Sequence, residues 1–297
     1  YSSGLPDSGV TSKALAFTVP LSSHVSDWRD QSIYFMLTDR FNDGDSLNNQ
    51  QMSSSFDGGD YVAGDGKKYQ GGDFAGITAK LDYLKDLGIT AIWITSPVKQ
   101  VWNNATWTGY HGYWAQDFMS VDPHLGTMAD FRTMVYEAHS RGISVIMDVV
   151  VNHAGSLFYY DLDGNGSATS KDEWEPSYSE SYDKSKLTWL EGSDWADAAN
   201  RKKPMPVEFQ NKNWWSFRGG NATKDTALAN EVLYGDFAGL RDIDTTNTDV
   251  RAKFKEIFKW WIKNTDIDGI RIDTVKHVET GFWTDFCNEL RTWAKSS

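Results

Sequence analysis

Ile143-Ser-Val-Ile-Met-Asp148-Val-Val-Val-Asn152-His153 is a nearly unbroken apolar run that ends in polar side chains. A run of this kind reads as a strand buried on both faces, as in a parallel sheet. Alternate strand residues share a face, so Asp148, Val150 and Asn152 point the same way. Immediately before it, Phe131, Met134, Val135 and Ala138 recur at helical spacing, and Gly142 closes the segment. The spacing predicts a helix over 127–140.

The same rhythm extends in both directions. Apolar runs at 33–38 and 89–95 predict strands, and Ile77, Leu81, Leu84 and Leu87 predict one helix over 77–87, ended by Gly88. Downstream, Val250, Phe254, Ile257, Phe258 and Trp261 form a helical stripe over 247–264. A short strand over Gly269–Ile272 runs into the polar Asp273-Thr-Val-Lys276-His277, with Arg271 and Asp273 on one face, and a last helix covers 282–294. Apolar strands alternating with amphipathic helices mean parallel βαβ units. A doubly wound sheet and a (β/α)8 barrel both fit this pattern, but no Gly-x-Gly-x-x-Gly phosphate loop follows a strand, which argues against a dinucleotide fold. From Ala154 to about Asp236 the rhythm stops, and the segment is too long for an ordinary loop. It reads as an irregular domain inserted after the third strand.

Composition narrows the function. The 297 residues carry 29 Lys plus Arg against 41 Asp plus Glu, a net charge of −12, so a nucleic-acid partner is not expected. No apolar run approaches the roughly 20 residues of a membrane-spanning helix, so no membrane partner is expected either. Cys287 is alone and forms neither an internal disulfide nor a Cys-based metal site. Fourteen Trp and thirteen Tyr supply flat faces that serve packing or sugar stacking.

Two apolar strands ending in Asp148, Asn152 and His153 and in Arg271, Asp273, Lys276 and His277 are hard to explain as packing alone, because buried polar groups are costly unless paired or used. The bland account is a structural Asp148–Arg271 ion pair. These segments closely resemble the third- and fourth-strand signatures of the α-amylase family of retaining glycoside hydrolases. Gly239-Leu-Arg241-Asp242-Ile-Asp244 resembles the motif closing that family's inserted domain, with Arg241 where proline is common. Tyr110-His-Gly-Tyr113-Trp114 resembles its substrate-platform loop, and the segment from Trp28 to Phe41 its first strand. The resemblance runs from about Asp27 to the end of the chain.

It implies an α/β fold: the first half of a (β/α)8 TIM barrel, strands one to four, formed by 27–153 and 237–297. Residues 154–236 would be the inserted B domain and 1–26 a lead-in. It implies hydrolysis of α-1,4-glucosidic bonds in starch-like glucans, with Asp273 as nucleophile and Arg271 keeping it ionised. His153 and His277 would donate hydrogen bonds to sugar hydroxyls, Tyr113 would stack on the sugar, and Lys276 would contact the leaving-group side. Trp114 fits sugar contact or packing.

The resemblance also implies calcium, through the Asn152 and Asp242 side chains, the His277 carbonyl and a carbonyl near Asn230. A second calcium loop is suggested by Asp43, Asp45, Asn48 and Asn49 with Gly71 and Asp73, and it raises the alternative of a cyclodextrin-forming transglycosylase. A third candidate, Asp161, Asp163 and Asn165 followed by Gly166, fits the start of an EF-hand-like loop, with Asp172 at its twelfth position.

The family's general acid, a Glu ending the fifth strand, has no counterpart among four β/α units. A piece of a longer enzyme, a subunit completed by another polypeptide, and a pair of half barrels are the open arrangements; a noncatalytic glucan-binding fragment is the alternative of another class. A starch substrate implies a secreted, extracellular protein.

Overall fold

The computed structural model describes residues 25, 27–51, 59–104, 107–168, 170–190 and 203–296. The 1–26 lead-in thus lies, apart from Val25, outside the described residues. Four parallel strands form the central sheet in chain order: β1 (Ile33–Met36), β2 (Ala91–Ile94), β3 (Ser144–Val149) and β4 (Gly269–Ile272). Their register aligns Phe35 with Trp93, Trp93 with Ile146, Ile146 with Gly269, and Asp148 with Arg271.

Alternation gives the sheet two unlike faces. Ile92, Ile94, Val145, Met147 and Val149 point to one side and are buried in a cluster with Phe74, Ile77, Leu81, Phe131, Met134 and Phe254. Those partners come from α1 (Phe74–Ala79), α2 (Leu81–Asp86), α3 (Met128–Ser140) and α4 (Thr248–Thr265). The last helix, α5 (Thr280–Ser296), adds Phe282, Phe286 and Leu290. The other face carries Ile33 and Phe35, each 47% exposed, with Trp93 and Ile146. That face would line the inside of a closed barrel, and here it stays partly open.

Local signals set the helix ends. Thr127 caps α3 in a reciprocal capping box with Asp130, and the Asn247 side chain accepts from Asp249 N at the start of α4. The helix expected over 77–87 is instead two. At Lys80 (φ −108°, ψ 4°) the amide bonds back to Ile77 and Thr78, and the chain restarts as α2. Residues 153–242 hold short antiparallel pairs, Phe158–Tyr160 with Leu187–Trp189 and His153–Ala154 with Arg241–Asp242. They pack around Phe158, Tyr160, Trp215 and Phe217. An antiparallel ribbon of Val98–Gln100 with Ala115–Val121 carries the Tyr110–Trp114 loop beside the sheet.

The loop between β1 and α1 is anchored by a buried charged trio. His124 Nδ1 meets Asp122 at 2.7 Å and Nε2 meets Asp60 at 2.9 Å, with Tyr69 stacked on the ring at 3.6 Å. Burial alone would discharge this imidazole, but the two carboxylates override it and raise its pKa to about 9. Among the described residues no helix is long and apolar enough to cross a membrane.

Candidate active site

The C-terminal ends of β3 and β4 bring Asp148, Arg271 and Asp273 together. Arg271 Nη1 donates to Asp273 Oδ1 at 2.7 Å and to both Asp148 oxygens at 3.0 and 3.1 Å. Neighbouring parallel strands in this register leave the guanidinium directly beside Asp148, while Asp273, two residues on, shares its face. Asp148 has no exposed surface and also accepts from Tyr113 Oη at 3.1 Å and Trp93 Nε1 at 3.2 Å. Burial raises its pKa to about 6, against the downward pull of Arg271. The side chain of Asp273 is 19% exposed and free to face the open end of the site.

The bland ion pair and the proposed site are therefore one assembly, in which a buried aspartate holds the arginine that contacts Asp273. Arg271→Met is expected to cost about 2–3 kcal/mol of stability, because it strips the paired cation from a fully buried carboxylate while the arginine itself is partly solvated. Thermal melts of the two proteins at neutral pH check this. A loss below about 0.5 kcal/mol would mean that Asp148 does not depend on the pairing.

Tyr113 is half-buried, its ring stacked on His111 at 5.6 Å and its hydroxyl fixed by Asp148. Trp114 packs against the core and edge-on to His111. Lys276 is exposed. His153 is buried under Phe237, stacked at 5.0 Å, and its Nδ1 accepts from Asn152 Nδ2 at 3.2 Å. Its proton therefore sits on Nε2, which makes no well-formed hydrogen bond among the described residues, although the Tyr113 backbone lies close to the ring. Burial lowers the pKa of this histidine to about 3, so it is a neutral donor at physiological pH. His277 Nδ1 donates to the Val232 carbonyl at 2.8 Å.

Asn152, Asp242 and His277 lie around that histidine pair. Asp242 pairs with His153 across the short antiparallel strands, and Phe237 touches both His153 and His277. Asp242 is 2% exposed, and among the described residues its Oδ2 makes no well-formed hydrogen bond, although the Ser216 hydroxyl lies beside the carboxylate. Burial, with Asp236, Glu279 and Asp244 nearby, pushes its pKa well up. A buried carboxylate oxygen beside an amide and backbone carbonyls fits a hard divalent cation. The Asn230 side chain is exposed and donates to Glu180 at 2.6 Å, while its segment reaches this spot through the Val232 carbonyl on His277.

The second candidate loop is a polar knot centred on Asp73. Asp73 caps α1 through Gly76 N at 2.6 Å and accepts from Gly44 N, Asp45 N and Asn48 Nδ2. Asn49 Nδ2 donates to Asp43 at 2.7 Å, while Asn48 Oδ1 and Asn49 Oδ1 are buried without partners. Gly71 (φ +89°) lies so close to Asn49 that a Cβ there would come within 2.6 Å of the amide. The two orphaned amide oxygens fit calcium as well. In the third loop, Asp163 accepts from Asn165 N and Nδ2, and Asp161 accepts from Gly166 N. The carboxylate that joins Asp161 and Asp163 there is Glu173, with ligand atoms within 4.8 Å of one another. Asp172 is exposed, whereas Glu173 is turned inward by the capping box of the helix Lys171–Trp174.

Trp93 and Glu173 were not marked by the sequence reading. Trp93 could have been found from the alternation of β2, which sets it on the same face as Asp148. Glu173 could have been found from the Ser170-x-x-Glu173 capping signature.

A parallel (β/α) array that gathers paired acidic and basic side chains at its C-terminal strand ends has the build of a (β/α)8-barrel enzyme. The chain belongs to the alpha-amylase family: the family profile described as Alpha amylase, catalytic domain matches residues 35–293. Among curated relatives it is 37% identical over 270 residues to a Beta/alpha-amylase of Paenibacillus polymyxa, covering 90% of this chain and 18% of that one. It is 32% identical to the periplasmic alpha-amylase of Escherichia coli, covering 91% of this chain and 45% of that one. An Anoxybacillus alpha-amylase structure superimposes with a TM-score of 0.64 at 34% identity, over 90% of this chain and 45% of the other. The chain thus spans less than half the length of these relatives.

Proposed function

We propose that this chain carries the nucleophile side of a site that cleaves α-1,4-glucosidic bonds in starch-like glucans with retention. The observation that carries the reading is the 2.7 Å contact of Arg271 Nη1 with Asp273 Oδ1 at the open end of the sheet. An ionised carboxylate so paired can attack the anomeric carbon. The bond from that carbon to the leaving oxygen breaks as an acid protonates the oxygen, and a glycosyl ester on Asp273 forms. Water then attacks the same carbon and returns the carboxylate. Arg271 thus serves Asp273 directly, and Asp148 serves through Arg271 and Tyr113.

Tyr113, braced by Asp148 and His111, offers a ring face for the sugar at the cleavage point. The Nε2–H of His153, with His277, suits sugar hydroxyls, and exposed Lys276 suits the leaving-group side. Trp114 contributes mainly packing. Calcium would be held by Asn152, Asp242 and the His277 carbonyl, where it would join the inserted 154–236 domain to the half barrel formed by 27–153 and 237–297. Further ions suit the Asp43–Asp73 loop and the Asp161, Asp163, Asn165 loop with Glu173. When bound, calcium supplies structural bridging, not chemistry at Asp273.

A retaining site needs an acid carboxyl about 5–5.5 Å from the nucleophile. Asp148 is fully buried and fixed by three donors, so it is not that acid. We assign the acid to a part of the barrel outside these four strands, in keeping with the fraction of the relatives that the chain spans. A periplasmic relative supports export.

A second reading, a cyclodextrin-forming transglycosylase, is favoured by the Asp43–Asp73 loop and by relatives named cyclomaltodextrin glucanotransferase, at 32% identity in Klebsiella oxytoca. A starch assay on the 297-residue chain with calcium tests the reading. The chain is expected to bind soluble starch without cutting it. Reducing-end release that disappears in Asp273→Asn would show that an acid within the chain suffices, and cyclic products would favour the transglycosylase.

A further inference from the structure

Beside the cation site proposed above, Glu279 stands on the segment that follows His277. Its Oε2 accepts from Thr245 Oγ1 at 2.7 Å, the Tyr234 hydroxyl lies beside the carboxylate, and among the described residues its buried Oε1 makes no well-formed hydrogen bond. Thr245 lies three residues beyond Asp242, and Glu279 two beyond His277, so this hydrogen bond draws the two ligand-bearing segments alongside each other. Arg251 Nη2 comes within 3.9 Å of this carboxylate, too far for a tight hydrogen bond. Asp242, more than nine-tenths buried, has the Ser216 hydroxyl beside it and likewise carries an oxygen that makes no well-formed hydrogen bond among the described residues.

Two carboxylates on facing segments, each with a buried oxygen and only neutral hydroxyls close by, are costly unless a cation joins them. We infer that Glu279 adds a second negative charge to the Asn152–Asp242–His277 cation site, so that the divalent ion is held by carboxylates from both sides of the junction between the inserted segment and the sheet. This rests on the reading that the site binds calcium. Affinity at such sites is tuned by the number of charged ligands, and removing one is expected to weaken binding about tenfold or more.

The test is calcium titration by calorimetry into chelator-stripped protein, comparing the wild-type chain with Asp242→Asn and Glu279→Gln. Asp242→Asn identifies the affinity class that belongs to this site, and Glu279→Gln should weaken that same class at least about tenfold. If Asp242→Asn removes a class and Glu279→Gln leaves it unchanged, the inference about Glu279 fails while the site stands. If neither variant changes any class, the site itself fails. Melting each protein with calcium and with chelator guards against misfolding. Glu279→Gln should shrink the rise in melting temperature that calcium causes. An equal rise in wild type and variant would reduce Glu279 to a hydrogen-bond acceptor for Thr245 and overturn the inference.

Discussion

Arg241→Met is expected to destabilise the inserted segment by about 3–5 kcal/mol, the range for removing one partner of a buried ion pair. Arg241 is 1% exposed and donates to Asp236 Oδ2 at 2.6 Å, to the Phe158 carbonyl at 2.9 Å and to the Trp174 carbonyl at 3.1 Å. Its guanidinium also lies over the rings of Phe158 and Tyr160. Methionine fills part of the volume but leaves the Asp236 carboxylate buried without its cation and two carbonyls without donors. Asp236 would keep only the Tyr160 hydroxyl and the Asp242 amide.

The expected observation is a lowered melting temperature together with faster proteolysis confined to residues 154–242. Adding Asp236→Asn should restore much of the loss, because the penalty lies in the stranded charge and not in the missing contact itself. If the single variant melts within about 0.5 kcal/mol of wild type, this ion pair does not organise the segment. The same pair steadies the backbone that presents Asp242, so the variant should also bind calcium more weakly.

Arg241 shows what the sequence concealed. Its departure from the usual proline was visible, but its partner Asp236, only five residues away, was not, because the turn that brings the two together belongs to a stretch with no readable periodicity. The elements that were legible are those with strong hydrophobic rhythm. Gly269–Ile272 matches the strand as read, and the strands at Ala91–Ile94 and Ser144–Val149 lie inside their expected spans, trimmed at the ends. The 77–87 segment kept its apolar stripe and still broke at Lys80, since spacing reports which face is buried and not whether the backbone is continuous. The Val98–Gln100 ribbon left little signal, because its register shifts twice and its polar residues are satisfied by tertiary contacts such as Gln100 N to Asp122.

At the candidate site, alternation sets Arg271 and Asp273 on one face of β4, and the register of β3 with β4 then puts Asp148 beside Arg271. What alternation could not supply was the division of labour. Asp148 is locked among Arg271, Tyr113 and Trp93, whereas Asp273 keeps an exposed edge. Those contacts span 35 to 123 residues of sequence, so no local pattern encodes them. The loop carboxylates behave similarly: Glu173 displaces Asp172 because capping turns it inward.

The central claim is that Asp273 is a glycosyl-accepting nucleophile. It is tested most directly with a maltosyl donor whose leaving group is fluoride, which departs without proton donation and so makes no demand on an acid. The chain would be incubated with this donor and calcium, then digested and analysed by mass spectrometry. The account predicts a maltosyl adduct on the peptide containing Asp273, accumulating because no base activates water to remove it, and lost in Asp273→Asn. An adduct that persists in Asp273→Asn, or wild-type protein that binds maltooligosaccharide yet forms no adduct at Asp273, would contradict it.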